Sequence, residues 1–261
     1  MSVPSLLGVF AHPDDESLSA GGVLARHAAA GARTAVVTAT WAADTPRAGE
    51  PADALRILGA GRPRLLGYAD DRVPRSAPGR VRFRDAPLDD AVRQLVASLR
   101  EFRPEIVVTH DAYGGLTGHP DHVHTHRVSV LAVEAAGLER LYPEAGAPWR
   151  PSALYLATHP HSALRVWGGH LAAAGKSSHS VPDEWISATV DVRPWLERKI
   201  AALLAHRTEV ARGAAPRAGR RPRGVGAGTA ARHRVVHPRH SLHSPTLSAL
   251  ATGPVRTELT V

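Results

Sequence analysis

Short apolar runs recur along the chain, each closed by a turn signal and followed by a stretch with helical spacing. Leu6 to Phe10, Ala35 to Thr40, Arg64 to Tyr68, Ile106 to Thr109 and Ser152 to His159 read as strands. Most are apolar or β-branched, and Leu6 to Phe10 has no polar residue, as expected of a strand buried on both faces. Glu184 to Val192 reads as a further strand. Between the strands, Gly21 to Ala30 is an alanine-rich helix ending near Gly31, and Ala52 to Leu58 is a short helix stopped by Gly59-Ala60-Gly61. Leu88 to Phe102 carries apolar residues at 88, 92, 95, 96 and 99, which is helical periodicity. Val123 to Ala136 and Pro194 to His206 complete the helices, the latter with a stripe of Trp195, Ile200, Leu203 and Leu204. Trp41 to Pro51 and Pro74 to Arg84 are polar and turn-rich, and the first is expected to cross the mouth of any site. Strand alternating with helix predicts an α/β, Rossmann-like fold: a mostly parallel, doubly wound sheet with helices on both faces. The G-x-G-x-x-G turn of a dinucleotide site is missing after the first strand.

The pattern breaks after Arg212. Residues 1–212 are expected to form one domain, and 213–261 a basic Arg/Pro/Gly/Ala-rich tail, disordered because such a composition cannot bury a core. Charge divides at the same place. The chain carries a net +8; the tail holds eight arginines against Glu258, or +7, which leaves 24 basic and 23 acidic residues, or +1, in the body. A near-neutral body gives no electrostatic footprint for nucleic acid. No apolar run reaches membrane-spanning length, about 18 residues or more, and no leader-like stretch opens the chain, so a cytoplasmic protein with no membrane partner is expected. The chain has no cysteine, so any metal must be held by His, Asp or Glu.

Those residues cluster twice. Ala11-His12-Pro13-Asp14-Asp15-Glu16 follows the first strand, and Gly118-His119-Pro120-Asp121-His122 precedes the helix after Ile106 to Thr109. Proline and acids after an apolar strand mark a helix start, and strand-to-helix junctions are where open α/β sheets place ligands. One capping residue would suffice, so three acids and a histidine are a surplus. His12, Asp15 and His122 form a two-histidine, one-carboxylate set suited to Zn²⁺ with a position open for water. Asp14 and His119 remain as candidate general base and general acid.

On these two motifs, AHPDDES and GHPDH, the chain resembles the PIG-L/LmbE-like metal-dependent N-acetylglucosaminyl deacetylases. Within that family it is most similar to the actinobacterial branch containing the mycothiol-biosynthesis deacetylase. The resemblance spans roughly Leu6 to Thr208 and leaves out the tail. It implies zinc-dependent hydrolysis of the amide of an N-acetylated amino sugar, with Fe²⁺ as the alternative metal and a small-molecule amino-sugar substrate as the partner; a homo-oligomeric state is left open. It also implies His12, Asp15 and His122 as metal ligands, Asp14 as base, His119 as acid, and Asp121 as the group orienting a neighbouring imidazole. Arg47 and Asp70 match the family's contacts to sugar hydroxyls.

Two positions depart from the family pattern. Thr117 stands where the mycothiol deacetylase has a tyrosine that assists carbonyl polarisation. Ser19 stands where the related mycothiol-conjugate amidase has lysine, which favours deacetylase over that rival amidase. His124 and His126 are expected to be bystanders, Tyr113 a packing residue, and His110 a satisfied structural histidine with pocket lining as its alternative; His159 and His161, flanking Pro160, are secondary candidates for a substrate role.

Overall fold

The computed structural model of the protein describes residues 3–173, 175, 177–212 and the backbone of 232–236. Its elements run β1 (Leu6–Phe10), α1 (Gly21–Ala29), β2 (Thr34–Thr40), α2 (Glu50–Leu58), β3 (Pro63–Tyr68), α3 (Leu88–Phe102) and β4 (Ile106–His110). Then come α4 (Pro120–Ala136), β5 (Ala153–Thr158), α5 (His161–Ala173), β6 (Ala188–Asp191), α6 (Leu196–Ala205), α7 (Arg207–Arg212) and β7 (Arg232–Val236). The sheet order is β3-β2-β1-β4-β5-β7-β6, parallel from β3 to β5, with β7 antiparallel to both its neighbours. The predicted α/β class and mostly parallel sheet therefore hold.

Both faces of the sheet are buried, which explains the strands' continuous apolar runs. Leu7 and Val9 of β1, Val37 of β2 and Val107 of β4 pack with Val92, Leu95 and Leu99 of α3 and Val128, Ala132 and Val133 of α4. Leu6, Phe10, Val36, Ile106 and Val108 point the other way, toward Val23 and Leu24 of α1, Leu55 and Leu58 of α2, and Ala202 of α6. Helix α1 comes close to the chain after β6 because Gly22 has no side chain; a Cβ there would sit 2.5 Å from that of Val192. On the other layer the buried Arg100 of α3 donates to the carbonyls of Ala135, Ala136, Leu138, Leu141, Tyr142 and Gly146, tying the end of α4 to the loop behind it.

Chain direction across the sheet reverses between β1 and β4. Strand β1 runs beside β2 on one side and beside β4 on the other, with Leu6 opposite Ile106 and Val9 opposite Thr109. Side chains following Phe10 and those following His110 therefore emerge into one crevice, the ligand position of an open α/β sheet.

Two expectations are corrected in their bounds. Strand β6 is shorter than Glu184 to Val192, because Asp183–Trp185 form a 3₁₀ turn. The helix expected from Pro194 to His206 opens as a 3₁₀ turn, Arg193–Trp195, and ends where expected, with His206 as its C-cap at φ −79° and ψ 66° before α7. Within the basic tail, β7 pairs with Leu156 to Thr158 and with Ala188 to Asp191. Pairing uses backbone groups and needs no core-forming composition, and Val235-Val236 is β-branched. The remainder of 213–261 lies outside the described residues. No helix among the described residues is long and apolar enough to cross a membrane.

Candidate metal centre and active site

After Phe10 the chain folds back on itself within one turn. The His12 N–H donates to Asp15 Oδ2 at 2.8 Å and the Asp15 N–H to the His12 carbonyl at 3.3 Å, so the first and last residues of His12-Pro13-Asp14-Asp15 face each other. Asp14 between them takes φ of 122°, a region that residues other than glycine seldom occupy and that is costly to hold. The helix then starts as a single π-helical turn, Glu16–Ala20, a distortion frequent at functional sites. The second motif hangs from β4 by the loop 111–119. Asp111 accepts the Gly115 N–H at 2.8 Å, and Gly114, at φ 76°, lies so close to the helix start that a Cβ would come within 3.0 Å of the His119 carbonyl.

Three side-chain atoms converge where the motifs meet. His12 Nδ1 lies 3.1 Å from His122 Nε2 and 3.3 Å from Asp15 Oδ2, and the last two are 3.1 Å apart. Ligands 2.0–2.1 Å from a tetrahedral ion are separated by about 3.3 Å, so the triangle has the size a zinc-like ion requires. The tautomers also fit. His12 turns Nε2 toward Asp121 Oδ2 at 3.1 Å and Asp70 Oδ2 at 3.4 Å, and His122 turns Nδ1 toward the Gly114 carbonyl at 3.1 Å. With a cation at the centre, each imidazole would keep its proton on the outer nitrogen and offer the inner lone pair. Among the described residues, overlapping metal-competent groups join His119, Asp70, Asp121 and His110 to this cluster.

The electrostatics demand positive charge here. Burial opposes a charged His12, but Asp121, Asp15 and Asp70 outweigh it and raise its pKa to about 10. Burial likewise opposes the Asp15 carboxylate, yet His122, His110 and His12 hold it well below the usual range. Asp14 goes the other way: burial and the adjacent Asp15 raise it to about 8 against the pull of Arg47. Burial, then His12 and His122, lower His119 to about 3, and burial takes His110 to about 4. Adjacent acids with opposite displacements are how one site obtains an ionised ligand and a proton acceptor.

The other predicted residues fall into place around this centre. His119 is the N-cap of α4; its Nδ1 accepts the Asp121 N–H at 3.2 Å, which leaves Nε2 as the exchangeable nitrogen. Asp121 is fully buried and also accepts from the backbone N–H of Asp71 at 2.9 Å and Arg84 at 3.1 Å, far more than a helix-start acid. Asp70 accepts the N–H groups of Arg72 and Val73 while its other oxygen faces His12. Arg47 is held within the protein as well. Its side chain is buried over the Trp41 ring, and the guanidinium donates to the Pro13 carbonyl at 2.6 Å, to Asp14 Oδ1 at 3.2 Å and to Glu209.

His110, expected to be structural, borders the centre: it stacks on His122 with ring centroids 3.9 Å apart, and its Nε2 lies 3.4 Å from Asp15 Oδ2. His126 reaches the His110 carbonyl and His124 packs edge-on against Phe83, and neither belongs to the metal-competent groups among the described residues. Tyr113 is 48% exposed and stacks on His179, in place of packing inside. Sequence reasoning missed Glu16, His206 and Glu209. Glu16 was visible as the third acid of the motif, whereas the other two carried no local signal.

Residues 7–133 match the family model of the GlcNAc-PI de-N-acetylases, PIG-L. The chain is 42% identical over 245 residues to a 1D-myo-inositol 2-acetamido-2-deoxy-alpha-D-glucopyranoside deacetylase of Rhodococcus opacus (strain B4), covering 80% of this chain and 83% of that protein. It is 35% identical over 289 residues to the enzyme so named from Rhodococcus erythropolis (strain PR4 / NBRC 100887), covering 97% and 94%. Among solved structures it is similar to the conserved protein TT1542 from Thermus thermophilus, at a TM-score of 0.58 and 29% identity over 80% of this chain and 81% of that one.

Proposed function

The chain belongs to the GlcNAc-PI de-N-acetylase (PIG-L) family, and we propose that it is a Zn²⁺-dependent deacetylase of an N-acetylated amino sugar. The proposed substrate is the 1D-myo-inositol 2-acetamido-2-deoxy-alpha-D-glucopyranoside named for its relatives. The observation that carries this reading is the triangle of His12 Nδ1, Asp15 Oδ2 and His122 Nε2, with Asp14 beside it.

An acetamide is a poor electrophile and water a poor nucleophile. A divalent ion held by His12, Asp15 and His122 supplies Lewis acidity to the carbonyl and lowers the pKa of water. Asp14 is the proposed base that takes the proton of the attacking water. Burial and the adjacent Asp15 raise its pKa, which makes the ionised carboxylate a stronger base than an exposed one. The departing nitrogen needs one proton, and His119 is the group proposed to pass it on through Nε2. Asp121 holds His12 and the start of α4 in register, so ligand and acid keep their spacing. Asp70 and Arg47 are the proposed contacts to sugar hydroxyls, and Arg47 also holds Asp14.

The test is release of free amine from that glycoside by the purified protein, before and after exhaustive chelation and after adding back Zn²⁺ or Fe²⁺. Activity that vanishes with the metal and returns with it is expected. Full activity in protein shown by elemental analysis to hold no metal would end the metallohydrolase reading.

A further inference from the structure

Asp14 is held from behind by residues nearly two hundred positions away. Two braces reach it. The first acts on its backbone: the Asp14 N–H donates to Glu16 Oε2 at 3.0 Å, and Glu16 Oε1 faces His206 Nε2 at 2.8 Å and accepts from Ser17 Oγ at 2.6 Å. The second acts on its side chain and on the residue before it. Arg47 donates to Asp14 Oδ1 and to the Pro13 carbonyl, and its other terminal nitrogen donates to Glu209. His206 lies in the break between α6 and α7, and Glu209 follows in the first turn of α7. That junction is clamped in its own right, because Glu50 accepts both the Thr208 N–H at 3.0 Å and its hydroxyl at 2.9 Å.

Glu16 and His206 are fully buried and Arg47 is 4% exposed. Buried ion pairs are weak sources of stability, since apolar residues of similar volume often do as well or better. An array of this kind calls for another reason, and both braces end on Asp14, the one residue of the motif in a strained backbone conformation. Strain persists only where surrounding structure over-determines it.

We infer that His206 and Glu209 are positioning residues for Asp14: the α6–α7 junction, through Glu16 and Arg47, sets the geometry of the base. This rests on the reading of Asp14 as the base, and a double-mutant cycle separates the two claims. His206→Ala and Glu209→Ala are made in the wild-type and the Asp14→Asn backgrounds, and turnover number, KM, bound metal and melting temperature are measured for each. A displaced base costs on the order of 10–100-fold in rate, so each single variant should lose that much in kcat with KM and bound metal unchanged. In the Asp14→Asn background, the same changes should lower kcat no further while still lowering the melting temperature. His206→Gln and Glu209→Gln keep a hydrogen-bonding group at each place; they should recover most of the rate and carry the cycle if an alanine variant does not fold.

A loss of kcat that repeats in full on top of Asp14→Asn would overturn the inference, as would loss of bound metal or a rise in KM alone. If Asp14→Asn is as active as the wild type, the reading of Asp14 itself falls.

Discussion

His12 and Asp121 meet across 109 residues of chain, Nε2 to Oδ2, at 3.1 Å. That contact decides which nitrogen of His12 keeps its proton and therefore which one is free for a metal. Asp121 can do this because its other partners, the N–H groups of Asp71 and Arg84, leave it no freedom to turn.

Asp121→Asn should therefore act on the metal. An amide accepts more weakly than a carboxylate and can present its NH₂ to His12, which favours the wrong tautomer. Loss of such an outer partner typically costs 10–100-fold in metal affinity or activity, and about that weakening of Zn²⁺ affinity is expected. Competition with a chromogenic chelator measures it; unchanged affinity would show that Asp121 orients only the helix start.

Asp14 and Asp15 should separate under the same substitution. Asp15 touches three imidazoles, whereas Asp14 is raised to about 8 and contacts Arg47. Asp14→Asn should keep its metal and lose about 10²–10⁴ in rate, as expected for a lost general base. Asp15→Asn should lose metal first, because a neutral amide is the poorer ligand. Metal content and turnover at saturating and limiting zinc check both, and retention of zinc by Asp15→Asn with loss of it by Asp14→Asn would reverse the assignments.

The parts of this site legible in the sequence were those written locally. A proline and three acids after an apolar strand announce a helix start with surplus charge, and the parallel alternation of elements brings the second His/Asp motif beside it. What stayed hidden depends on distance in sequence. His206 was legible as the end of a helix, but not as the residue that reaches Glu16 in the interior. Arg47 lay in a polar stretch and was read only as a sugar contact, because nothing local says that Trp41 would lie under its guanidinium and Glu209 beside it. The positive φ of Asp14 was equally unreadable, since its braces come from α6 and α7 and from the far side of the motif.

Arg100 predicts a stability effect with no effect on the metal. Its guanidinium serves six carbonyls, two of them at the carboxyl end of α4, where a cation also meets the helix dipole favourably. Arg100→Ala strands those acceptors and should destabilise by about 2–4 kcal/mol, which in a chain of this size is roughly a 5–15 °C fall in melting temperature. Zinc affinity should not change, because the arginine lies at the opposite end of α4 from His119 and His122. A melting temperature within about 1 °C of wild type would show that the loop rearranges to satisfy its own carbonyls.

The pair of His206 and Glu16 makes stability depend on pH in a definite direction. Burial opposes charge on His206, but the hydrogen bond and the charge of Glu16, with Asp14 and Glu50 further off, outweigh it and raise the histidine above its ordinary pKa. A group whose folded pKa is raised binds its proton more tightly in the native state. Its contribution is therefore complete below the unfolded value of about 6.5 and is lost as pH climbs through the folded value. His206→Gln keeps a donor for Glu16 but cannot titrate. The stability difference between wild type and this variant, from urea unfolding at a series of pH values, should be constant below about pH 6 and shrink steadily above about pH 6.5. A difference that grows with pH would mean that His206 is held neutral in the fold.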